Sequence, residues 1–553
     1  MNRHYCFTLQ NLILLLVLAF SGCREQDPAE FPVRPNILWI TVEDLSPHLG
    51  SYGNALVSTP NLDRLATEGV RYTNVYATAP VCSAARTALI TGMYQTSIGG
   101  HQHRANQSYD NFEHSSYQAV PPTHVKAFTE YLRAGGYYVT NNAKSDYNFG
   151  RPLTAWDENG GQAHWRNRPD STQPFFAVFN TARTHESRVW PNPEEEATIN
   201  PDSVDLPPYY PDTPVIREDF ARHLDNVSRM DGWVNDLLIQ LEEDGLAENT
   251  IVFFFSDHGD GIPRGKRWLQ DSGIQAPLII RNPFSPQRGL VDDQLVSFID
   301  LTATVLSLAG VDIPDHFEGQ AFMGAAAARA PRSLIYAARD RMDESHDMRR
   351  AVRDKRFKYI KNYHPDRPYF LPNRYRDRMP LMQELIRLRE AGELDPVAAR
   401  MFAQTKPEEE LYDTLNDPHE IENLASNPSF AEILHKMRLA LTQWQEETGD
   451  MGLIPEIELS EMMWPLGIQP QTDAPRITTE PADSDSITVS ISSSTPGASI
   501  AYTLGAGQER PWNLYSNPVT VHPDSSIRAV AIRYGFKQSE EVSLKYVFQA
   551  ERK

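Results

Sequence analysis

The sequence predicts an α/β protein with a central, mostly parallel sheet flanked by helices, a smaller α+β subdomain after it, and an appended all-β sandwich. Continuous apolar runs typical of buried parallel strands occur at residues 36–42, 175–180 and 251–255. Segments with helical periodicity separate these runs, at residues 125–134 and 218–243, and a further helix is expected at 296–308. From about residue 471, short strands alternate with turns rich in Ser and Thr, which indicates the sandwich.

The first residues have the pattern of an export signal. A basic pair precedes a short apolar run at residues 12–20, and Ser21-Gly22-Cys23 follows it. The run is too short for a mature membrane-spanning helix, so a cleaved signal peptide is predicted at residues 1–23. Its end resembles a bacterial lipobox, apart from Phe20, which would leave Cys23 lipidated; a plain secretory signal is the alternative. After a solvated tether at 24–34, we expect an exported protein, anchored in the outer membrane by lipid or periplasmic.

Composition limits the partners and the chemistry. The net charge of −21 on 553 residues argues against nucleic acid as a partner. Of the 3 cysteines, Cys6 and Cys23 lie in the signal segment, so Cys82 alone remains in the mature body and no internal disulfide is expected. A lone cysteine is most often a small buried apolar residue. The sequence around Cys82 favours a different role.

Cys82 stands at the start of a segment, CSAARTALITG, that has the pattern of a helix beginning at the cysteine. Free backbone N–H groups and the positive end of the helix dipole favour an anion at such a position. Arg86, one turn later, lies on the same helix face and can add a forked positive charge, and Gly92 closes the helix. The segment therefore predicts an oxyanion site that contains a modifiable nucleophile.

Polar ligand residues follow two of the apolar runs directly. Glu43 and Asp44 come after the first run, and Asp257 and His258 come after the third. Open parallel sheets bind ligands at the carboxyl ends of their strands, and carboxylates suit a hard divalent cation. A single imidazole among oxygen ligands is compatible with such an ion. A solvated loop is the alternative for each pair.

The motif Cys-x-Ala-x-Arg, followed by Thr-Ala-Leu-Ile-Thr-Gly, resembles the active-site signature of type I sulfatases. The commoner form of that signature has Pro at the position of Ala84. The resemblance implies that Cys82 is oxidised to formylglycine by a formylglycine-generating or equivalent maturation enzyme. Glu-Asp after the first strand and Lys-x-Asp-Tyr-Asn at residues 144–148 resemble the heparan N-sulfatase-like branch of the family.

The resemblance extends through six ordered motifs, from about residue 34 to 447. It implies an alkaline-phosphatase-like fold, with a catalytic α/β domain at 35–325 and a C-terminal subdomain at 326–465. The β-sandwich is then a separate module at 471–550, which resembles the C-terminal module of some hexosaminidases. Packing and glycan contact are both open as its role.

The resemblance also implies roles for individual residues. Calcium would be held by Glu43, Asp44, Asp257, His258 and the modified Cys82. In the family the first of the two acidic residues after the first strand is usually Asp, so Glu43 is a variant with a longer reach.

Lys144, Lys266 and Arg86 would bind the sulfate group, and His185 would protonate the leaving oxygen or nitrogen. Asp146 stands where the family has a histidine. Its carboxylate would either accept a proton from the hydrated aldehyde or hold Lys144 in place.

Three further residues are candidates for substrate contact: His101, His103 and Arg267. The two histidines lie in a glycine-hinged loop, where solvated or capping histidines are the alternative. A basic pair on a surface loop is the alternative for Lys266 and Arg267.

These residues together predict hydrolysis of a sulfate ester or an N-sulfate through formylglycine and calcium. Export and an additional sandwich module suggest a sulfated polysaccharide, or its oligosaccharides, as the substrate. One alternative is a phosphomonoester or phosphodiester hydrolase of the same superfamily. Another is a non-catalytic, glycan-binding lipoprotein in which Cys82 is unmodified.

Overall fold

The computed structural model describes residues 34–545, with short gaps at 109–111, 113–114, 193–196, 484–485, 506–510 and 523–525. The predicted signal peptide, the predicted lipidation at Cys23 and the tether up to residue 33 lie outside the described residues. Among the described helices, none combines the length and apolar character needed to cross a membrane.

An eight-stranded sheet forms the centre of the molecule. Its strands are β1 Asn36–Val42, β2 Val70–Tyr76, β3 Tyr138–Asn142, β4 Glu158–Asn159, β5 Phe175–Thr181, β6 Thr250–Ser256, β7 Leu278–Arg281 and β8 Leu290–Ser297. They lie in the order β4-β3-β5-β1-β6-β7-β2-β8, and only β7 runs antiparallel to its neighbours β6 and β2. Because β1 lies between the parallel strands β5 and β6, the carboxyl ends of these three strands meet at one edge.

Helices cover both faces of this sheet. They are α1 Pro60–Glu68, α2 Cys82–Thr91, α3 Phe128–Ala134, α4 Pro214–Glu243, α5 Asp271–Ile274 and α6 Phe298–Ala309. Alternate residues of β1 enter opposite cores, as the period of two in a strand requires. Leu38 and Ile40 pack with residues of α1 and α4, whereas Ile37 and Trp39 pack with residues of α2, α3 and α6. The apolar run of β1 is therefore explained by burial on both faces.

A second, antiparallel sheet follows in the order β12-β11-β10-β9. Its strands are β9 Ile335–Arg339, β10 Arg349–Arg353, β11 Phe357–Asn362 and β12 Glu409–Asp413. The helices of this C-terminal subdomain are α7 Pro380–Ala391, α8 Pro396–Arg400, α9 Ala431–Thr448 and α10 Glu456–Met463. Leu434, Met437 and Leu441 of α9 pack in one core with strand residues of this sheet.

The β-sandwich consists of two antiparallel sheets in the described part of the chain. One contains β13 Arg476–Asp483, β14 Ser486–Ser492 and β17 Val519–Val521, and the other contains β15 Ser499–Leu504, β16 Asn513–Leu514, β18 Ser526–Ile532 and β19 Val542–Lys545. The sandwich packs directly on α3. Tyr534 donates a hydrogen bond to Glu130 at 2.6 Å, and its ring stacks on Phe149 with centroids 4.8 Å apart.

The predicted fold class is confirmed: a mostly parallel α/β sheet, an α+β subdomain and an all-β sandwich are all present. The expectation of one helix at 296–308 is wrong at its start. Strand β8 continues to Ser297, and α6 begins at Phe298, where the Asp300 carboxylate accepts the backbone N–H of Ser297 at 2.9 Å.

Candidate active site

The strand ends bring the four predicted metal ligands together. Glu43 and Asp44 follow β1, and Asp257 and His258 follow the adjacent strand β6. The backbone N–H of Asp44 donates to Asp257 Oδ1 at 3.1 Å, and His258 Nε2 lies 3.0 Å from Asp44 Oδ1. All four residues are buried.

Cys82 is the first residue of α2 and points into this cluster. Its Sγ atom lies 3.4 Å from His258 Nε2 and 3.8 Å from Asp44 Oδ1. No side chain caps the start of α2, so its first N–H groups and the helix dipole favour an anion beside Cys82. Gly92 ends the helix with φ of 67°, as the sequence predicts.

Three cations line the same pocket. Arg86 Nε donates to Asp257 at 2.9 Å and Nη1 donates to Asn180 at 2.8 Å, but its buried Nη2 has no hydrogen-bond partner among the described residues. Lys266 Nζ contacts both carboxylate oxygens of Asp44, at 3.0 and 2.9 Å. Lys144 Nζ donates to Glu43 at 2.8 Å. The unsatisfied Arg86 donor marks a place for an acceptor from a ligand.

His185 follows β5 and joins the cluster from the other side. Its Nδ1 accepts the Ser187 N–H at 3.3 Å, which leaves Nε2 facing Glu43 and Asp44 at 3.9 and 4.0 Å. Burial, and after it the positive charge of Lys266, lowers the pKa of His185.

The carboxylates of the pocket strongly stabilise positively charged groups beside them. Burial alone would raise the pKa of Asp44, but the charges of Lys266, His185 and His258 hold it well below its ordinary value. Burial opposes the proton on His258, yet the carboxylates of Asp257 and Asp44 raise its pKa to about 10. The carboxylates therefore attract positive charge strongly enough to outweigh the cost of burial.

The donor set fits a divalent metal ion. Ligand atoms lie within 4.8 Å of one another in two overlapping groups, Glu43-Asp44-Cys82-His185 and Asp44-Cys82-Asp257-His258. Three of the six residues, Glu43, Asp44 and Asp257, offer carboxylate oxygens, the donors that Ca²⁺ and Mg²⁺ prefer. Close packing beside Asp44 requires glycine, because a Cβ at Gly261 would lie 2.9 Å from Asp44 Oδ2.

The other residues predicted for the site, Asp146, His103 and His101, differ in what they contact. Asp146 lies near Lys144, with 3.4 Å between Oδ2 and Nζ. His103 contacts the residue after Cys82, with Nδ1 2.9 Å from the hydroxyl of Ser83. His101 is 1% exposed, and neither of its ring nitrogens has a hydrogen-bond partner among the described residues.

The guanidinium of Arg267 is directed into the protein. It forms a bidentate pair with Glu186, at 2.8 and 3.0 Å, and a further contact of 3.3 Å with Asp343. Glu186 also lies 3.1 Å from Lys266 Nζ, so this carboxylate holds the two cations in place.

Sequence reasoning missed Glu186, Asp343 and Arg104. Glu186 follows His185 directly, and Arg104 follows His103, so proximity to a candidate was an available signal for both. For Asp343 no local signal exists, because it comes from the loop after β9 and reaches the site only through the fold.

Comparison with known proteins gives matches to one enzyme family. The Sulfatase family matches residues 35–172 and 162–311, and the family described as N-sulphoglucosamine sulphohydrolase, C-terminal, matches residues 264–395. A protein of Formosa agariphila named ulvan-active sulfatase is 41% identical over 93% of this chain and 92% of its own length. N-sulphoglucosamine sulphohydrolase of Homo sapiens is 26% identical over 82% of this chain and 96% of its own length.

A solved structure of a protein in complex with its substrate D-glucosamine-2-N,6-O-disulfate has the same fold. The TM-score is 0.54 at 17% identity, over 75% of this chain and 98% of that one. The shared fold, the two family matches and the 41% identity over nearly the whole length lead to one conclusion. The chain belongs to the sulfatase family.

Proposed function

We propose that this sulfatase removes sulfate groups from a sulfated polysaccharide or its oligosaccharides, by means of a formylglycine at residue 82 and a calcium ion. The observation that carries the proposal is the position of Cys82, whose Sγ lies 3.4 Å from His258 and 3.8 Å from Asp44 at the start of α2. The substrate class is supported by the 41% identity to a protein named ulvan-active sulfatase.

The metal would be held by Glu43, Asp44, Asp257 and His258, together with the modified residue 82. Bound there, it would supply positive charge to the sulfate oxygens and lower the pKa of the hydroxyl nucleophile. An aldehyde hydrate at residue 82 would supply two hydroxyls, one to attack sulfur and one to permit release of sulfate, which a thiol does not provide.

The chain's own residues then have distinct tasks. Arg86, Lys144 and Lys266 hold the sulfate oxygens, and the unsatisfied Nη2 of Arg86 provides one free donor for them. His185 gives a proton from Nε2 to the departing oxygen or nitrogen as its bond to sulfur breaks. Asp146, held 3.4 Å from Lys144, takes the proton that leaves when sulfate is released.

The biological setting follows from the sequence pattern. A signal peptide at 1–23, lipidation at Cys23 and a tether would place the protein in the periplasm or on the outer membrane. A maturation enzyme must act on Cys82 before the chain is active. The domain boundaries proposed are 35–325 for catalysis, 326–465 for the subdomain and 471–550 for the sandwich.

The test is activity of matured protein on a panel of ulvan oligosaccharides, O-sulfated amino sugars and an N-sulfated glucosamine, with sulfate and phosphate release measured separately. Mass spectrometry of the peptide with residue 82 should show loss of the thiol. Cys82→Ala should lower turnover by at least about 10⁴-fold without unfolding the protein. Unmatured wild-type protein, which differs from matured protein only in keeping the Cys82 thiol, is the matched control and should be as inactive as Cys82→Ala.

Turnover retained by Cys82→Ala would contradict the assigned nucleophile. Phosphate release faster than sulfate release would favour a phosphoester hydrolase instead. Binding of the glycans by matured protein, with no turnover of any sulfate, would favour the non-catalytic alternative.

A further inference from the structure

Backbone strain is concentrated at the pocket. Among the described residues, nine that are not glycine have positive φ. Five of them belong to the pocket or its rim: Asp44, Arg104, Asp146, Arg267 and Asp343. Such conformations cost on the order of 1 kcal/mol each for residues with a Cβ, and strain that the surrounding structure enforces points to function. Asp44, Arg267 and Asp343 are held by buried ion pairs. Arg104 and Asp146 lie at the rim, where they pair with each other at 3.7 Å.

Arg104 is tied to the residue after the nucleophile. Its backbone N–H donates to the hydroxyl of Ser83 at 3.2 Å, and the same hydroxyl contacts Nδ1 of the preceding His103 at 2.9 Å. The backbone of Arg104, with φ of 52°, is thus held by a hydrogen bond to Ser83, the residue that follows Cys82. Its side chain is 33% exposed and lies beside Asp146 at the rim, so part of it is accessible from solvent.

Arg104 is also the cation of this site that is least engaged with protein acceptors. Lys144, Lys266 and Arg267 each have a carboxylate oxygen within 2.8–3.0 Å. Among the described residues, the guanidinium of Arg104 has one carboxylate within ion-pair distance, Asp146, at 3.7 Å. Asp146 is closer to Lys144, at 3.4 Å, so Lys144 can retain it when Arg104 takes another partner.

We infer that Arg104 binds a second anionic group on the substrate sugar, either a carboxylate or a second sulfate, beside the sulfate that is cleaved. A planar guanidinium with unused donors matches the paired oxygens of both groups. The inference rests on the proposed function for its substrate. It makes Arg104, rather than Arg267, the residue that selects dianionic sugars, because both terminal nitrogens of Arg267 pair with Glu186 and Asp343 and its Nε is buried.

The test uses two pairs of substrates, each differing in one charge. The first pair is a sulfated disaccharide with a uronic acid and its carboxyl-reduced form, and the second is a disulfated sugar and its monosulfated form. In matured Arg104→Gln, kcat/KM should fall about 10-fold to 100-fold on the member with the extra anion and less than about 3-fold on the other. Arg104→Lys should recover part of the loss. Arg387→Gln, at an exposed arginine on α7, is the matched control and should change neither.

The pair that responds identifies the anion as carboxylate or sulfate. Equal losses on both members of each pair, or no loss on any, would overturn the inference. Binding of the same sugars to Cys82→Ala and to Cys82→Ala with Arg104→Gln gives a readout without turnover. Discrimination in binding, combined with an inactive matured wild type, would refute the proposed function but leave the anion subsite intact.

Discussion

Two buried clusters of charge, one in the active site and one in the C-terminal subdomain, use the same residue types differently. Arg350 on β10 is fully buried, and each of its guanidinium nitrogens contacts a carboxylate: Asp450 at 2.6 and 2.9 Å, and Asp340 at 3.0 and 3.1 Å. Arg86 in the active site is 5% exposed, yet its Nη2 has no partner in the described part of the chain.

The difference shows which features mark a site. Burial of charged side chains does not by itself mark a functional site, because close pairing offsets the desolvation cost in both clusters. The active site is distinguished by its place at the carboxyl ends of β1, β5 and β6 and by strained backbone at its residues. A buried donor without an acceptor is not specific to it, because Arg339 Nε, Arg341 Nη2 and Arg349 Nη1 in the C-terminal subdomain also lack a partner among the described residues. Between the two arginines compared, every guanidinium nitrogen of Arg350 has a carboxylate acceptor, whereas Nη2 of Arg86 has no acceptor among the described residues.

The largest effect is expected for Asp44→Asn, which removes a charge that contacts Lys266 and His258 and lies 3.8 Å from Cys82 Sγ. We expect kcat/KM of matured protein to fall by at least about 10⁴-fold, because metal and nucleophile lose a shared partner. The free energy of unfolding should fall by no more than about 2 kcal/mol, since Lys266 keeps Glu186 at 3.1 Å. Steady-state kinetics and urea denaturation measure the two quantities.

The matched control is Asp340→Asn, the same change in the other cluster. It should leave kcat per folded molecule unchanged, because both carboxylate oxygens of Asp340 pair with Arg350. Activity of Asp44→Asn within 10-fold of wild type would mean that the two clusters do not differ as described.

Arg350→Met breaks the balanced cluster and should act on stability alone. Asp340 and Asp450 would remain buried without their cation, which should lower the free energy of unfolding by about 3–5 kcal/mol. Burial would raise the pKa of Asp450, but Arg350 lowers it to about 2. In wild type this contribution to stability is therefore present above the ordinary Asp pKa and lost as pH falls through about 2.

Denaturant titrations of both proteins between pH 2 and pH 7 measure this effect, with kcat per folded molecule followed in parallel. The variant should lose the part of the acid dependence that Asp450 provides. An unchanged free energy of unfolding, or a loss of turnover in the folded fraction, would contradict the assignment of this cluster to stability.

The sequence was sufficient for the parts of the site that regular structure places. Continuous apolar runs predict buried strands, parallel strands end at one edge, and Asp44, Asp257 and His258 follow such strands directly. Cys82 was predictable because the start of a helix is visible in its own neighbourhood. These residues lie close together because the local pattern places each at the end of a strand or the start of a helix, and the strand order places those ends side by side.

Other parts depend on contacts between distant segments. Asp343, in the loop after β9, lies 3.4 Å from His103, and no local sequence pattern predicts this contact. Likewise β7 is antiparallel in a parallel sheet, and its short apolar run carries no sign of direction. The packing of the sandwich on α3 through Tyr534 and Glu130 joins residues 404 positions apart.

The smallest effect is expected at Glu318. Unlike the carboxylates of both clusters, it has no cation within ion-pair distance among the described residues. It accepts hydrogen bonds from the backbone of Tyr94 and from Ser97, the latter at 2.7 Å, and burial raises its pKa to about 7. Because the folded-state pKa exceeds the unfolded value, its contribution to stability is full below about pH 4.5 and lost as pH rises through about 7.

Glu318→Gln keeps the acceptor oxygen and removes the titration, so it tests whether pairing decides the sign of the shift. Relative to wild type, the variant should gain up to about 3 kcal/mol in free energy of unfolding between pH 4.5 and pH 8, measured by urea denaturation at both values. The sign is opposite to that for Asp450, whose stabilising effect disappears in acid because Arg350 faces it. Parallel pH curves for wild type and variant would show that Glu318 is ionised in the folded protein despite its lack of a cation. Burial without an ion pair would then be insufficient to explain which carboxylates of this protein hold a proton.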